Sequence, residues 1–407
     1  MEFLKTKKCW APKEKEPEAL EKLLRAQGLF KEHFLVASTG TSSSELSKVK
    51  YIVHAIPSFL KVIDSQIEFF RLNKKDRFLC PLPASHIAYI ALRARAERLG
   101  AYFEEYTGKW SATRFAKKMM DENFSFSSLV PTQVFDLVEQ NVQGPGIDKH
   151  QILVGGAAIT DQLLLRAKKL GWCLLRSYGA SEFGSACAIN KKADFLKDDF
   201  SQSLLTHFEY DISKASFFKV KGQALFQAYL FFDLKDQSFE IQSDLTGKDA
   251  YFQTEDLVEI DHNKLKVHGR GSRFLIRNGE NIFLQELENK ISDLLEKEVL
   301  VLKIPHPRQG ELPVLVFDAH KYFKLGDIDL GNTSHPTRDS IRVESKISEL
   351  RALIIAKLQV LPKLQRPAAL INMPIIKADT GKILYAKMQE SLSHDKDLEF
   401  FDLVWPQ

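Results

Sequence analysis

The stretch that decides the fold is ILVGGAAITDQLLLRAKKLGWCLLRSYGASE, residues 152–182. It opens with an apolar run that ends in paired glycines, continues through a helical pattern at 160–170, and closes with a second apolar run at 172–176. Two short apolar strands joined by a helix are typical of a parallel α/β sheet, because parallel strands need a long crossover connection. Ligands of such sheets bind beyond the carboxyl ends of the strands, where Gly155–Ala158 and Tyr178–Glu182 fall. The stretch therefore predicts both a fold class and a ligand site.

The same alternation of helices and strands extends from about residue 56 to residue 190. The predicted helices are 58–72, 86–99, 111–121, 132–140 and 160–170. The predicted strands are 77–80, 101–105, 127–130, 151–154 and 172–176. Upstream, two further strands, His33–Ala37 and Val49–Ala55, flank a hydroxyl-rich loop.

The pattern changes twice in the second half of the chain. Between 216 and 269 apolar residues alternate with polar ones, which is typical of antiparallel strands. After Gly269-Arg270-Gly271 we expect a smaller α+β part, with helices at 283–297 and 338–358 and strands at 299–304 and 313–318. The sequence thus predicts a large N-terminal α/β domain, 1–269, and a small C-terminal α+β domain, 270–407.

Composition excludes several classes of protein. The 57 Lys and Arg nearly balance the 53 Asp and Glu, without a basic block, so no nucleic-acid partner is predicted. Even the most apolar window, Ile152–Ala167, is interrupted by polar residues, so no membrane span is predicted. The N-terminus lacks the apolar segment of a signal peptide, and we expect a cytoplasmic protein that acts on small molecules.

Two segments have residue types that suit a nucleotide. The loop Ser38-Thr39-Gly40-Thr41-Ser42 offers hydroxyls and backbone N–H groups to phosphate oxygens, although a solvated serine-rich loop has the same composition. Beyond the strand 151–154, Gly156 leaves room for a flat ring, on which Tyr178 could stack. Glu182 is a hard oxygen ligand that suits Mg²⁺ held together with phosphates. The alternative for this second segment is a tight turn with a surface glutamate.

Two later segments carry charges with matching chemistry. Asp256 and Arg270 could hold a ribose diol and a phosphate, or could form a surface ion pair. Lys382, in Thr380-Gly381-Lys382, could bring a positive charge to a developing oxyanion, or could be a plain surface lysine.

These four segments, in this order, resemble the adenylate-forming superfamily of acyl-CoA synthetases, adenylation domains and luciferases, from Ser38 to Lys387. Within it, Ser128–Gln133, Gly155–Ala158 and Tyr178–Phe183 look most like the o-succinylbenzoate–CoA ligases of menaquinone biosynthesis. The resemblance implies the adenylate-forming enzyme fold with a mobile C-terminal domain. It also implies a two-step reaction: ATP and an acid give an acyl-adenylate and pyrophosphate, and coenzyme A then displaces AMP. Mg²⁺ is the implied metal.

The resemblance also assigns roles to residues. Ser38, Thr39, Gly40, Thr41 and Ser42 match the phosphate loop. Gly156, Ala157 and Tyr178 match the adenine site, and Ser181 and Glu182 match the phosphate and Mg²⁺ site. Gly179 is a further implied ATP/AMP-binding residue. Asp256 matches the ribose-binding aspartate, Arg270 the arginine that follows it, and Lys382 the catalytic lysine of adenylation. Gly279 and Glu280 match the segment that approaches coenzyme A.

The acid site is implied by Leu82-Pro83-Ala84-Ser85-His86, which resembles a family turn before a helix. In the o-succinylbenzoate ligases an arginine on that helix meets a substrate carboxylate, and Arg95 matches it. Because nine residues is two and a half helical turns, His86 and Arg95 share a site only if His86 precedes the helix. Arg93 is the second choice.

The sequence departs from the family pattern in three places. Only 37 residues precede Ser38, Ser43 replaces a loop glycine and the first following lysine is Lys48, and Ser272 stands at the hinge position. Two alternatives therefore stay open: a ligase for another aryl or medium-chain acid, and a non-catalytic member that binds nucleotide or acyl ligand. A homodimer would cover surface that the usual N-terminal part buries.

Overall fold

The computed structural model describes residues 2–5, 32–37, 48–233, 235–236, 238–243, 250–271, 273–278, 280–317, 349–377, 383–394 and 400–402. Two compact units divide between Val267 and His268, whereas the sequence placed the domain boundary after residue 269. None of the described helices combines the length and the apolarity that a membrane crossing needs.

The first unit contains most of the strands. Their bounds are β1 His33–Ala37, β2 Lys48–Ala55, β3 Arg77–Cys80, β4 Tyr102–Glu105, β5 Phe126–Leu129, β6 Gln151–Val154, β7 Leu174–Ala180, β8 Ser185–Ile189, β9 Gln202–Leu204, β10 Glu209–Ile212, β11 Phe217–Lys221, β12 Ala228–Asp233, β13 Phe239–Gln242, β14 Phe252–Asp261 and β15 Lys264–Arg270. Its helices are α1 Ile56–Phe70, α2 Ile87–Leu99, α3 Ala112–Asp121, α4 Pro131–Glu139, α5 Asp161–Lys169 and α6 Lys192–Phe195, with 3-10 turns at Glu2–Lys5 and Ser181–Phe183.

The main sheet confirms the predicted α/β architecture. Its parallel half has the order β4-β3-β5-β6-β7, with a helix between each pair of consecutive strands from β3 to β7. At β7 the sheet turns antiparallel and continues through β8, β9, β15, β14, β11 and β10. All four residues of β5 are buried, and its two serines donate to the backbone carbonyl oxygens of Leu79 and Leu153 on the neighbouring strands β3 and β6.

A second sheet was not predicted as a unit. It has the order β1-β2-β12-β13, and each neighbouring pair is antiparallel. Ile52 of β2 lies opposite Tyr229 of β12, so this sheet joins strands that are far apart in the chain. The predicted strand pair at 33–37 and 49–55 is confirmed. The pairing of β2 with β12 is the observation that the sequence did not predict.

The second unit is a smaller α+β body. Its strands are β16 Phe274–Arg277, β17 Glu280–Phe283, β18 Leu300–His306, β19 Gly310–Phe317, β20 Ala369–Asn372 and β21 Phe400–Asp402. Its helices are α7 Leu284–Leu295, α8 at 349–358 and α9 Tyr385–His394. The sheet has the order β17-β16-β19-β20-β21, with β18 against β19, and only β19–β20 is parallel among the recorded pairs. The predicted elements at 283–297, 299–304 and 313–318 are present, whereas 338–348 lies outside the described residues.

Candidate active site

The candidate residues of the first unit follow the carboxyl ends of neighbouring parallel strands. His86 comes after β3, Val130 after β5, Gly155–Ala158 after β6, and Tyr178–Glu182 at the end of β7. Because β3, β5, β6 and β7 are adjacent and parallel, these ends share one edge of the sheet. The arrangement brings the predicted acid residue and the predicted nucleotide residues to the same side of the fold.

The paired glycines allow a close approach at this edge. Gly156 has φ +85°, and a Cβ there would lie 4.0 Å from Nε2 of His86 and 3.7 Å from the Val130 side chain. A Cβ on Gly155 would meet the Ser177 hydroxyl at 2.6 Å, so a side chain here would displace that hydroxyl from its hydrogen bond to the Val154 carbonyl oxygen. His86 accepts a hydrogen bond from Ala88 N–H through Nδ1 (3.1 Å), which caps α2 and confirms that His86 precedes the helix.

Tyr178 and Asp256 form a direct contact between β7 and β14. The Tyr178 hydroxyl donates to Oδ2 of Asp256 at 2.6 Å, and its ring packs edge-on against Phe218 at 5.7 Å between centroids. Asp256 N–H in turn donates to Oγ1 of Thr254 (3.1 Å). Burial and the neighbouring carboxylate raise the pKa of Tyr178 well above its ordinary value, so the hydroxyl keeps its proton and stays a donor. The predicted adenine and ribose residues are thus in contact.

Ser181 and Glu182 lie on a 3-10 turn that ends at Gly184, whose φ is +70°. Oε1 of Glu182 accepts a hydrogen bond from the hydroxyl of Tyr229 on β12 (3.0 Å). Burial raises the pKa of Tyr229, with Glu182 adding to the effect, so this phenol also remains a donor. Nζ of Lys50 lies 3.4 Å from the centroid of the Tyr229 ring, a cation–π distance.

The donor set at Glu182 fits Mg²⁺ as the implied metal. Among the described residues, no group of three or more His, Cys, Asp or Glu side chains is arranged to hold a metal ion. A single carboxylate is nevertheless the usual protein contribution where Mg²⁺ keeps water and binds substrate phosphates. The Tyr229 hydroxyl occupies Oε1 of Glu182, and a carboxylate has capacity for a further ligand.

Arg95, the predicted partner of a substrate carboxylate, is buried inside the first unit. It is 1% exposed, and its guanidinium donates to the amide oxygen of Gln66 and to the Ser185 hydroxyl (3.2 Å). Both of these partners are uncharged, and Nε of Arg95 has no partner among the described atoms. Burial lowers the pKa of Arg95 to about 9, which still leaves it charged at neutral pH. It is therefore not a solvated helix residue.

Arg93, the second choice, has a different environment. Its guanidinium donates to Tyr89 (3.1 Å) and Glu97 (3.3 Å) and lies 3.7 Å from Glu105. Two carboxylates already compensate its charge, which argues for a structural role.

The other predicted residues differ in where the structure places them. Ala157 and Gly179 are exposed at the strand ends, and a Cβ on Gly179 would lie 2.3 Å from the Ser185 carbonyl oxygen. Arg270 is the last residue of β15, whose end beyond Val267 belongs to the second unit, and Glu280 begins β17 in that unit; both side chains are exposed. The remaining predicted residues lie outside the described residues: Ser38, Thr39, Gly40, Thr41, Ser42, Gly279 and Lys382.

Sequence reasoning missed three residues at the Glu182 turn. Tyr229 holds the Glu182 carboxylate, Lys50 lies on the Tyr229 ring, and Nε2 of His54 lies 2.7 Å from the Ser181 carbonyl oxygen. The alternation of β2 puts Lys50 and His54 on one face of that strand, which was a usable signal. Nothing in the local sequence indicates that β12 is the strand that pairs with β2.

No family model matches the chain. The 2-succinylbenzoate–CoA ligase of Listeria monocytogenes is 25% identical over 321 residues, which cover 78% of this chain and 65% of that protein. The ligase of the same name from Salmonella typhimurium is 26% identical over 301 residues, covering 73% and 60%. The chain thus spans less than two thirds of the length of these curated relatives.

A solved structure agrees in fold. The o-succinylbenzoate CoA synthetase (MenE) of Bacillus subtilis, in complex with the acyl-adenylate intermediate OSB-AMP, has a TM-score of 0.68 at 19% identity, covering 91% of this chain and 70% of that chain. The chain therefore has the fold of this adenylate-forming enzyme, which confirms the fold that the resemblance implied. Both curated relatives carry the name 2-succinylbenzoate–CoA ligase, which agrees with the resemblance found in the sequence.

Proposed function

We propose that this chain is an ATP-dependent ligase that joins o-succinylbenzoate to coenzyme A through an acyl-adenylate, in menaquinone biosynthesis. Pyrophosphate leaves in the first step and AMP in the second. The observation that carries the proposal is the Tyr178–Asp256 contact of 2.6 Å at the end of β7, with Glu182 four residues further along the chain. An aromatic face and a metal-binding carboxylate thus lie at the end of β7, with the ribose-binding carboxylate of β14 beside them, in the order that a nucleoside triphosphate requires.

The residues divide the work between binding and electrostatics. Asp256 accepts hydrogen bonds from the ribose hydroxyls, and Tyr178 offers its ring to the adenine. Glu182 would hold Mg²⁺, and the ion would neutralise charge on the phosphates when bound. Lys382 stabilises the negative charge that develops when the acid carboxylate attacks the α-phosphorus. The chain therefore acts mainly by orienting the carboxylate and the phosphate for attack.

The second step is proposed to use the C-terminal part. Arg270 lies at the start of the second unit, and Gly279 and Glu280 are proposed to approach the pantetheine thiol of coenzyme A. A swing of this part about the Arg270 segment would withdraw Lys382 and admit the thiol, as other closing lids admit their substrates. A cytoplasmic location and a homodimer remain predictions.

The choice of acid is supported by Arg95 and by the relatives. The relatives are named for 2-succinylbenzoate, and the solved neighbour holds OSB-AMP. A buried guanidinium whose protein partners, Gln66 and Ser185, are both neutral is costly for the free protein. An acid with a second carboxylate would compensate that charge, directly or through water.

Exchange of radiolabelled pyrophosphate into ATP tests the proposal. The purified chain is given o-succinylbenzoate, benzoate, anthranilate or octanoate, each with and without Mg²⁺. We expect Mg²⁺-dependent exchange with o-succinylbenzoate and at least about tenfold less with the acids that lack a second carboxylate, a difference of about 1.4 kcal/mol. Faster exchange with another acid would keep the chemistry and overturn the substrate. No exchange with any acid, while ATP still binds, would favour the non-catalytic alternative.

A separate variant tests the role proposed for Lys382. Lys382→Ala should abolish exchange but retain formation of the thioester from supplied o-succinylbenzoyl-AMP and coenzyme A. Lys387→Ala, five residues away in the described part of the chain, is the matched control and should leave both half-reactions unchanged. Equal loss of both half-reactions in Lys382→Ala would contradict the division of labour.

A further inference from the structure

His54 lies behind the turn that carries Ser181 and Glu182. It is fully buried on β2, and its Nε2 lies 2.7 Å from the carbonyl oxygen of Ser181. Because a carbonyl oxygen only accepts, Nε2 of His54 carries the proton and donates. The other ring nitrogen, Nδ1, is buried without a partner among the described atoms. The hydrogen bond to Ser181 is therefore the polar contact that the structure records for this imidazole.

Aromatic packing fixes the orientation of the His54 ring. Phe34 stacks on it with centroids 5.3 Å apart and planes inclined by 19°, and Phe59 approaches at 6.4 Å. A Cβ on Gly184 would lie 3.1 Å from the Phe59 ring and 3.7 Å from Cε1 of His54. The end of the Ser181–Phe183 turn thus rests directly on this cluster, and the imidazole cannot rotate without moving its neighbours.

The other side of the turn is held from β12 and the residues before it. Phe226 N–H donates to the carbonyl oxygen of Glu182 (2.9 Å), and the Tyr229 hydroxyl donates to the Glu182 carboxylate (3.0 Å). Tyr229 lies opposite Ile52 in the β2–β12 pair, two residues from His54 along β2. The β1-β2-β12-β13 sheet therefore supplies donors to Ser181, from His54, and to Glu182, from Tyr229.

The position of β2 in the chain gives this contact a functional meaning. The strand follows the predicted phosphate loop, 38–42, after a few intervening residues. A hydrogen bond from β2 to Ser181 therefore links the strand after the loop with the turn that carries the metal carboxylate. Polyphosphate and Mg²⁺ must be held at matched positions for attack on the α-phosphorus, and small displacements are costly.

We propose that His54 is a positioning residue of the nucleotide site, which holds the Ser181–Glu182 turn in register with the strand that follows the phosphate loop. This inference rests on the proposed function, because it takes Glu182 as the carboxylate that meets Mg²⁺·ATP. His54 touches neither substrate nor metal. It acts through the Ser181 carbonyl, so its removal changes Mg²⁺·ATP affinity and leaves the acid site unaffected.

A spectroscopic test needs no turnover. Long-range ¹H–¹⁵N correlation of the full chain with ¹⁵N-labelled histidine reports which ring nitrogen carries the proton, and His54→Gln identifies the signal by its loss. We expect the Nε2–H form, with a proton protected from solvent exchange. The Nδ1–H form, or rapid exchange of the proton, would overturn the proposal because Nε2 would then not donate to Ser181.

The kinetic test separates donation from packing. His54→Phe keeps an aromatic ring against Phe34 but lacks the donor, whereas His54→Gln can place an amide N–H near the position of Nε2. We expect His54→Phe to raise the KM and Kd for Mg²⁺·ATP about five- to tenfold, the effect of one lost hydrogen bond, with the KM for the acid unchanged. His54→Gln should restore most of that affinity.

A second buried histidine provides the control. His150 is 2% exposed, but it precedes β6 and so lies at the amino ends of the parallel strands. His150→Phe should lower thermal stability without changing Mg²⁺·ATP affinity. The proposal is overturned if His54→Phe and His150→Phe behave alike, or if His54→Gln does not restore affinity.

Failure of the proposed function gives a different result. Wild-type protein that binds Mg²⁺·ATP by calorimetry but exchanges with no acid would overturn the ligase, while the His54 comparison would still be read from Kd. Wild-type protein that does not bind Mg²⁺·ATP would overturn both.

Discussion

The hydroxyl of Tyr178 and the carboxylate of Asp256 are 2.6 Å apart, and this contact joins the last parallel strand to the antiparallel part of the same sheet. A carboxylate that already accepts one hydrogen bond is held in a single rotamer, so it meets a ribose diol without further loss of side-chain entropy.

Tyr178→Phe should therefore weaken nucleotide binding through Asp256. We expect the Kd for ATP to rise about fivefold. The variant loses the hydrogen bond that positions Asp256, an effect of about 1 kcal/mol, while it retains the ring. Isothermal titration calorimetry measures this change. Tyr210→Phe is the matched control, since Tyr210 stacks on the same Phe218 but donates to the carbonyl oxygens of Cys187 and Leu205. Equal losses in both variants would contradict the role of Tyr178.

Arg95→Met should separate stability from activity. The side chain of methionine fills a similar volume, and it removes a buried charge whose recorded protein partners are neutral, so we expect thermal stability equal to or above that of the wild type. The KM for o-succinylbenzoate should rise about 100-fold, as one charge-assisted contact is worth up to about 3 kcal/mol, with the KM for ATP unchanged. Arg93→Met, whose charge Glu97 and Glu105 compensate, should change the KM for the acid less than about threefold. Loss of stability in Arg95→Met without an effect on the acid KM would assign Arg95 to the core alone.

Glu288→Gln should destabilise the second unit. Glu288 is buried and accepts hydrogen bonds from Arg273 (2.6 Å) and from Val301 N–H (2.8 Å), while Arg273 lies 3.4 Å from the centroid of the Tyr385 ring. Loss of the carboxylate charge leaves Arg273 buried without compensation, at a cost of about 3–5 kcal/mol. Hydrogen exchange of β16 and β18 should report faster opening.

Tyr385→Phe is the control for that variant. It keeps the ring against Arg273 and the ion pair with Glu288, and it removes the hydroxyl with its contacts to Glu288 (3.4 Å) and Arg273, so we expect a smaller loss of stability, about 1 kcal/mol. Exchange rates that rise equally in both variants would show that the ion pair is not what stabilises the unit.

His150 predicts a loss of stability in acid. It is held neutral: its Nδ1–H donates to Gly146 (3.0 Å), its Nε2 accepts from Cys173 N–H (3.1 Å), and burial lowers its pKa to about 4. Because the unfolded chain has the ordinary value of 6.5, it binds more protons than the folded chain between pH 6.5 and 4. This histidine therefore contributes up to about 3 kcal/mol above pH 6.5, which is lost as the pH falls towards 4.

Urea denaturation at pH 7.5, 6, 5 and 4.5 measures this dependence. Between pH 6.5 and 4, the free energy of unfolding of His150→Gln should fall less steeply than that of the wild type. The difference in slope should correspond to about one proton bound on unfolding. Parallel curves for the variant and the wild type would mean that His150 is not buried in its neutral form.

The parallel half of the sheet was predictable because its signals are local. Most of its strands contain a short apolar run, such as Ile152–Val154 of β6, and the helices between them follow the helical period. The carboxyl ends of adjacent parallel strands must meet, so the order of these elements along the chain already brings Gly156, Tyr178 and Glu182 together. Asp256 was assigned to the same site only through the family resemblance. The structure shows how it reaches that site: it accepts a hydrogen bond from Tyr178.

The residues that were missed depend on pairing between distant strands. Alternation in β12 marks Tyr229 as facing the opposite side from Leu230, but it does not say which strand lies alongside. Without the β2–β12 pair, neither Tyr229 nor His54 can be assigned to Glu182. The depth of Arg95 was likewise hidden, since an arginine near the middle of a helix is usually solvated.

The pairing of β2 with β12 also sets a time order for the newly made protein. Val53 and Ala228 are partners, so about 175 residues of chain must be synthesised between them before the sheet can close. Contacts of such long sequence separation form slowly, whereas β5, β6 and β7 can assemble from neighbouring segments. During synthesis on the ribosome, the turn that contains Glu182 would thus be made before Tyr229 of β12 is available to bind its carboxylate. Nucleotide affinity would be acquired only after β12 has emerged.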